Sequence, residues 1–235
     1  MKDSKVPKHI GIIMDGNRRF ARRLMLKPWK GHEYGAKKVQ KVMEWCRDIG
    51  CKELTLYAFS VENFNRPKEE FDYLMDIFRK EFDNISRDES IVHKNRIRIN
   101  FIGRIWKFPE DITKKMQKLM NDTEGYGQTT VNFAMAYGGR AEIIDATKKI
   151  AQRIKEGNLD IDSINEEVFL KSLYTESQPD LVIRTSGERR TSGFLIYQAS
   201  YAELFFCDKM WPEFDKEDFM KAVDSYMYRE RRFGR

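Results

Sequence analysis

The sequence is poor in the features that mark several protein classes. Its three cysteines, Cys46, Cys51 and Cys207, are odd in number, form no CxxC pair and have no neighbouring histidines. That argues against a disulfide framework or a zinc site and for reduced thiols. Six prolines and 14 glycines in 235 residues are too few for a collagen-like or linker-dominated chain. No apolar run approaches the roughly 18 residues that a spanning helix needs. The opening MKDSKVPKHIGIIMDGN reaches Asp15 without the apolar stretch of a secretory signal, so a cytoplasmic protein is expected. There is no internal repeat or interdomain linker, and no RNP, KH or zinc-finger pattern to support nucleic-acid binding.

What is present suits a folded protein. A 41% hydrophobic share with 13% aromatics argues against disorder, and the length fits one domain, residues 1–235, better than two. Lys and Arg exceed Asp and Glu by a net charge of +6, which suits anionic partners such as phosphates or acidic lipid headgroups without choosing among them. Apolar runs at 9–14, 53–59, 97–102, 130–136 and 180–184 read as strands. Amphipathic stretches at 31–49, 67–85, 109–121, 140–155 and 215–226 read as helices. This βαβα order predicts an α/β fold, a central mostly parallel sheet surrounded by helices.

In such sheets ligands sit beyond the carboxyl ends of the strands, so the residues after each strand matter most. HIGIIM is followed by Asp15-Gly16-Asn17-Arg18-Arg19-Phe20, a carboxylate and a Gly-Asn turn opening a helix. Backbone N–H groups there can hold a diphosphate, Asp15 can hold Mg²⁺, and Arg18 or Arg19 can add charge-assisted bonds. Read alone, the same residues also make an ordinary turn and helix cap. Ser60, Glu62, Asn63 and Arg66 follow ELTLYAF, and Tyr137-Gly138-Gly139-Arg140 follows VNFAMA. The densest cluster, Arg184-Thr185-Ser186-Gly187-Glu188-Arg189-Arg190-Thr191-Ser192-Gly193, mixes guanidinium forks, hydroxyls and glycines as an oxyanion site does. A phosphatase built on an aspartate nucleophile would need a second Asp two positions on, and Asn17 stands there.

Taken together, HIGIIMDGNRRFAR, GHEYGAKK, LYAFSVENFNRP, AYGGRAEI, RTSGERRTSGFLIYQASYAELFF, WPEFD and RERRFGR resemble the cis-prenyltransferase family, which includes undecaprenyl diphosphate synthase. ARRLMLKPWKGH is closer to its archaeal branch than to the bacterial one. The resemblance implies a parallel sheet with an apolar tunnel, a homodimer, and Mg²⁺-dependent condensation of an allylic diphosphate (farnesyl or geranylgeranyl) with successive isopentenyl diphosphates. The product would be a long Z-polyprenyl diphosphate for glycosyl carrier lipids, with peripheral membrane contact on its release. Carried over by motif, Asp15 and Asn63 are catalytic, and Asp15 and Glu203 serve the metal. Gly16, Asn17, Arg18, Arg19, Phe20, His32, Ser60, Glu62, Arg66, Arg184, Arg190 and Ser192 bind substrate. Either Asp15 or a diphosphate oxygen could take the C2 proton, and Asn17 and Asn63 could assist.

Three positions depart from the family pattern: Pro28 and Arg189 stand where Arg and His occur in some members, and Gly193 where Asn is usual. They leave room for a variant condensation, an alcohol acceptor or a noncatalytic partner subunit. No DDxxD motif of the trans-prenyltransferases is present. The helix over 67–85 carries an apolar stripe, Phe71, Leu74, Met75, Phe78, Phe82 and Ile85, which with Val131, Phe133 and Met135 is the expected tunnel wall. The final Arg232-Phe233-Gly234 resembles a tail that reaches across the dimer.

Overall fold

Six strands form one all-parallel sheet in the computed structural model, which describes residues 6–229. In chain order the elements are β1 (His9–Ile13), α1 (Asn17–Arg23), α2 (Gly31–Asp48), β2 (Glu53–Ser60), α3 (Lys68–Ile85), the one-turn α4 (Ile91–Lys94), β3 (Ile97–Ile102), α5 (Glu110–Asp122), β4 (Thr129–Tyr137), α6 (Gly139–Lys155), α7 (Glu166–Leu170), β5 (Leu181–Arg184), β6 (Glu203–Phe206) and α8 (Lys216–Tyr228). Across the sheet the order is β3-β4-β2-β1-β5-β6.

The strands are apolar on both faces because both faces are covered. Side chains alternate between them. Leu181 and Ile183 of β5 join the larger core beneath α2, α3, α5 and α8, whereas Val182 joins the smaller core with Tyr137, Phe194 and Leu195. The five strands expected from sequence are present with ends shifted by at most one residue or so, and β6 was not expected. Its four residues form a half-covered edge strand, too short to carry a period. Residues 185–202, between β5 and β6, contain no α-helix, so the βαβα alternation breaks there.

This strand order has a functional consequence. From β1 the chain moves to β2 and the β3/β4 edge, while from β5 it moves to β6 on the other side. The segments leaving β1 and β5 therefore part, and a crevice opens beyond their carboxyl ends.

At the opposite end a buried polar network ties four strands together. Asn132 donates to Glu53 Oε1 at 2.5 Å and Thr55 Oγ1 at 3.1 Å, and accepts from Asn100 at 3.1 Å. His9 bonds Thr55 at 2.8 Å and Ser177 at 3.0 Å, and burial pulls its pKa below the usual histidine value. Asn132→Ala strands several buried partners and should cost about 1–3 kcal/mol in urea unfolding; a loss below about 0.5 kcal/mol would show that the network carries no stability.

Candidate active site

Arg184, the last residue of β5, points into the crevice and is buried. Its Nη2 donates to Asp15 Oδ2 at 2.7 Å, and its Nη1 donates to Ser192 Oγ at 2.7 Å and to the Arg190 carbonyl at 2.5 Å. Asp15 is fixed from several sides. Its Oδ1 accepts the Gly16 N–H at 2.7 Å, its own N–H donates to Thr185 Oγ1 at 3.0 Å, and its carbonyl accepts from Thr185 Oγ1 at 2.7 Å. Two buried polar atoms here have no hydrogen-bond partner among the described residues, Arg184 Nε and Asn17 Oδ1. Unsatisfied buried atoms are costly unless a ligand completes them.

A second charged group faces the first. Glu70, fully buried on α3, accepts from Arg66 Nη1 at 2.8 Å and lies 3.6 Å from Arg18 Nε. The same Arg66 nitrogen is 3.1 Å from His32 Nε2, which must accept because a guanidinium only donates. Burial, then the positive charges of Arg66 and Arg18, push the His32 pKa down to about 3. Two guanidiniums against one carboxylate leave a net positive wall without a substrate. Asn63 Oδ1 accepts the Ser60 N–H at 3.0 Å, which leaves its amide nitrogen as a donor on the cavity side.

Between these groups opens a cavity of about 560 Å³. Asp15, Asn17, His32, Ser60, Glu62, Asn63, Arg66, Arg184 and Ser192 line its polar mouth. Below, the walls are Ala36, Val39 and Met43 of α2, Leu74, Ile77, Phe78, Phe82 and Ile85 of α3, and Phe133 and Met135 of β4. Of the expected tunnel stripe, Phe71, Met75 and Val131 pack in the core instead. Gly31 lets α2 approach the mouth, because a Cβ there would lie 1.9 Å from the Asn17 carbonyl oxygen.

The expected site residues do not all line this cavity. Gly16 caps α1, and Arg18 reaches Glu70. Arg19 donates to the Ser186 carbonyl at 2.9 Å and to its hydroxyl. Phe20 packs edge-on against Tyr34 at 5.2 Å. Arg190 is exposed and paired with Glu188. Glu203 is not brought to Asp15 within the chain: it begins β6 opposite Leu181, three register positions or about 10 Å below Arg184, and pairs with Arg229 at 2.8 Å.

The prenyltransferase family model, described as undecaprenyl diphosphate synthase, matches residues 13–234. The chain belongs to the undecaprenyl diphosphate synthase family. It is 48% identical over its whole length to a protein of Methanopyrus kandleri, covering 87% of that protein, and 50% identical over 98% of its length to one of Methanocaldococcus jannaschii, covering 83%. Both are named tritrans,polycis-undecaprenyl-diphosphate synthase (geranylgeranyl-diphosphate specific). Among solved structures, lavandulyl diphosphate synthase from Lavandula x intermedia in complex with dimethylallyl diphosphate superposes with a TM-score of 0.91 at 32% identity, over 99% of this chain and 100% of that one. The enzyme class is cis-prenyl transfer.

Within that family one of the three departures has a local explanation. Gly193 adopts φ 78°, where Asn is the other residue tolerated, so the exchange preserves a backbone turn. Arg189 is exposed. Neither lysine beside Pro28 lines the mouth: Lys27 lies over the Trp29 ring, and Lys30 pairs with Glu33 at 3.3 Å. The tail motif lies outside the described residues. Sequence reading missed Glu70, which looked like one of the acids that open a helix; its spacing four residues after Arg66 was the available signal.

No cluster of three or more His, Cys, Asp or Glu suited to a metal occurs among the described residues. Asp15 has spare lone pairs at the mouth, whereas the Asn17 Oδ1 lacks a donor but is buried against Gly35. One such carboxylate fits Mg²⁺ arriving with a diphosphate, since that ion is commonly held by one or two carboxylates and substrate phosphates. It does not fit a metal cage made by the protein alone.

His32 sets a pH dependence. Its folded pKa lies below the unfolded 6.5, so the unfolded chain binds the extra proton and ligand-free stability, complete above pH 6.5, falls as pH drops toward 3. Between those two values His32 contributes a slope that approaches about 1.4 kcal/mol per pH unit, lost in His32→Gln. An NMR titration midpoint for His32 above 6.5 would contradict this geometry.

Proposed function

We propose that the enzyme elongates geranylgeranyl diphosphate with successive isopentenyl diphosphates to a long Z-polyprenyl diphosphate, a precursor of glycosyl carrier lipids, with Mg²⁺ held at Asp15. The observation that carries this reading is one cavity that runs from a charged mouth, where Arg66 and Arg184 stand with Asp15 and Glu62, into a mostly apolar channel. The names of the archaeal relatives support the starter.

An allylic substrate with its tail between α2 and α3 has its diphosphate beside Asn17, His32 and Arg66. Arg184 and Ser192, across the crevice, suit the isopentenyl diphosphate. Closing two diphosphates in one cleft is prohibitive without cations, and these guanidiniums supply part of that charge. When bound, Mg²⁺ would neutralise diphosphate oxygens and stabilise the leaving group. His32, neutral, keeps Arg66 aimed by accepting its hydrogen bond. Arg190 can leave Glu188 for an anion, because an exposed pair contributes little. Asn63 offers a donor and orients substrate. Loss of the C2 proton then falls to Asp15 or a diphosphate oxygen. A homodimer is part of this reading. Among the described residues no helix is long and apolar enough to cross a membrane, so contact with a bilayer would be peripheral.

Incubation with Mg²⁺, labelled isopentenyl diphosphate and geranyl, farnesyl or geranylgeranyl diphosphate should give Z-polyprenyl products, most rapidly from geranylgeranyl diphosphate. No elongation of any starter would sink the proposal. Asp15→Asn, which keeps a hydrogen bond to Arg184, should lower turnover by at least about 10²-fold without unfolding the chain. Arg184→Lys keeps the charge but loses the fork that spans Asp15 and Ser192, and should raise the KM for isopentenyl diphosphate about 10- to 100-fold. Ile77→Trp, in the half-buried cavity wall, should shorten the products; an unchanged size distribution would show that the chain grows elsewhere.

A further inference from the structure

The connection from α1 to α2 ends α1 in an unusual way. The Leu26 N–H bonds the Ala21 carbonyl at 2.9 Å and the Met25 N–H bonds the Arg22 carbonyl at 3.0 Å, the pair of reversed bonds that closes a helix around a left-handed residue. That residue is Met25, at φ 55°, where glycine is favoured and a side chain carries a steric cost. The cost has no return inside the chain, because Met25 is 95% exposed. Its neighbours Leu24 and Leu26 are 44% and 39% exposed, so three successive apolar side chains stand in water. A local rule broken without a compensating contact points to a function outside the fold.

Cations frame this tip. Arg22, Arg23 and Lys27 are exposed beside it; Arg22 has no ion pair among the described residues, Arg23 is held by an exposed pair with Glu213 that contributes little and can be exchanged for a phosphate, and Lys27 lies over the Trp29 ring. The loop lies near the cavity mouth, although none of its residues lines it. It joins α1, which begins at the mouth residue Asn17 and is about 10 Å long, to α2, whose second residue is the mouth residue His32.

We infer that residues 22–27 form a docking tip for an anionic lipid surface, with Leu24, Met25 and Leu26 entering the headgroup boundary and Arg22, Arg23 and Lys27 meeting lipid phosphates. Apolar insertion and attraction of cations to an anionic leaflet reinforce each other in this way. The inference rests on the proposed function in one respect, that the product is a long-chain diphosphate. The tip then holds the mouth against the bilayer that receives it.

Co-sedimentation with phosphatidylcholine vesicles, with and without phosphatidylglycerol, tests this. The wild type should bind the anionic vesicles and bind neutral ones weakly. Met25→Gly removes the apolar side chain while relieving the backbone, so it should be at least as stable as the wild type yet partition roughly tenfold less. Met25→Asp should lose more, and both variants should keep wild-type rates on a soluble short starter. Equal binding to neutral vesicles, no vesicle binding by the wild type, or wild-type binding by Met25→Gly would each overturn the inference. So would unchanged lipid binding with an altered oligomeric state in Met25→Gly, which would assign the tip to a contact between copies. Absence of prenyl transfer in the wild type would instead overturn the proposed function, while vesicle binding would still support the docking tip.

Discussion

The bond between Arg184 and Asp15 is the constraint on which the site depends. It joins the carboxyl ends of two adjacent strands at the point where the chain reverses its direction across the sheet. A buried guanidinium is expensive to desolvate, and here its cost is only partly offset, since Nε has no partner among the described residues. In the proposed function a diphosphate at this place would complete what the fold leaves incomplete. A geometry that is imperfect in the free protein and satisfied by a diphosphate is suited to binding one, and the same crevice exposes one face of Asp15 to a cation.

The apolar and polar halves of the cavity share their supports. Arg66 immediately precedes α3 and is held by Glu70 in its first turn, and the same helix then presents Leu74, Ile77, Phe78 and Phe82 to the channel. In the proposed function the position of α3 would therefore fix both where an allylic diphosphate is held and where its tail runs. On the other wall, α2 does the same with His32 near its start and Val39 and Met43 further along. Close contact between Gly31 and Asn17 sets the distance between α2 and α1 at the mouth.

Much of this was legible in the sequence because it depends on local pattern. Strands such as HIGII and LVIR are continuous apolar runs, which a parallel sheet requires, and of the polar clusters at their ends Asp15, Asn17, Arg184 and Ser192 line the crevice while Arg18, Arg19 and Arg190 do not. What was illegible depends on partners distant along the chain. β6 is a strand only because β5 pairs with it. Glu203 looked like a companion to Asp15 by motif, but its register places it at the other end of the sheet. The α2 wall was hidden because Ala36, Val39 and Met43 have the spacing of any buried helix face, and only the space left against α3 makes them a lining.

The account stands or falls on whether two diphosphates meet at the Arg184–Asp15 crevice with a prenyl tail between α2 and α3. A crystal structure with Mg²⁺, isopentenyl diphosphate and an unreactive thio analogue of geranylgeranyl diphosphate measures this directly. The expected result has one diphosphate on Arg184 and Ser192, the other beside Asn17, His32 and Arg66, and the tail against Val39, Leu74 and Phe78. Diphosphates bound away from Arg184 and Arg66, or a tail lying outside the cavity, would contradict it.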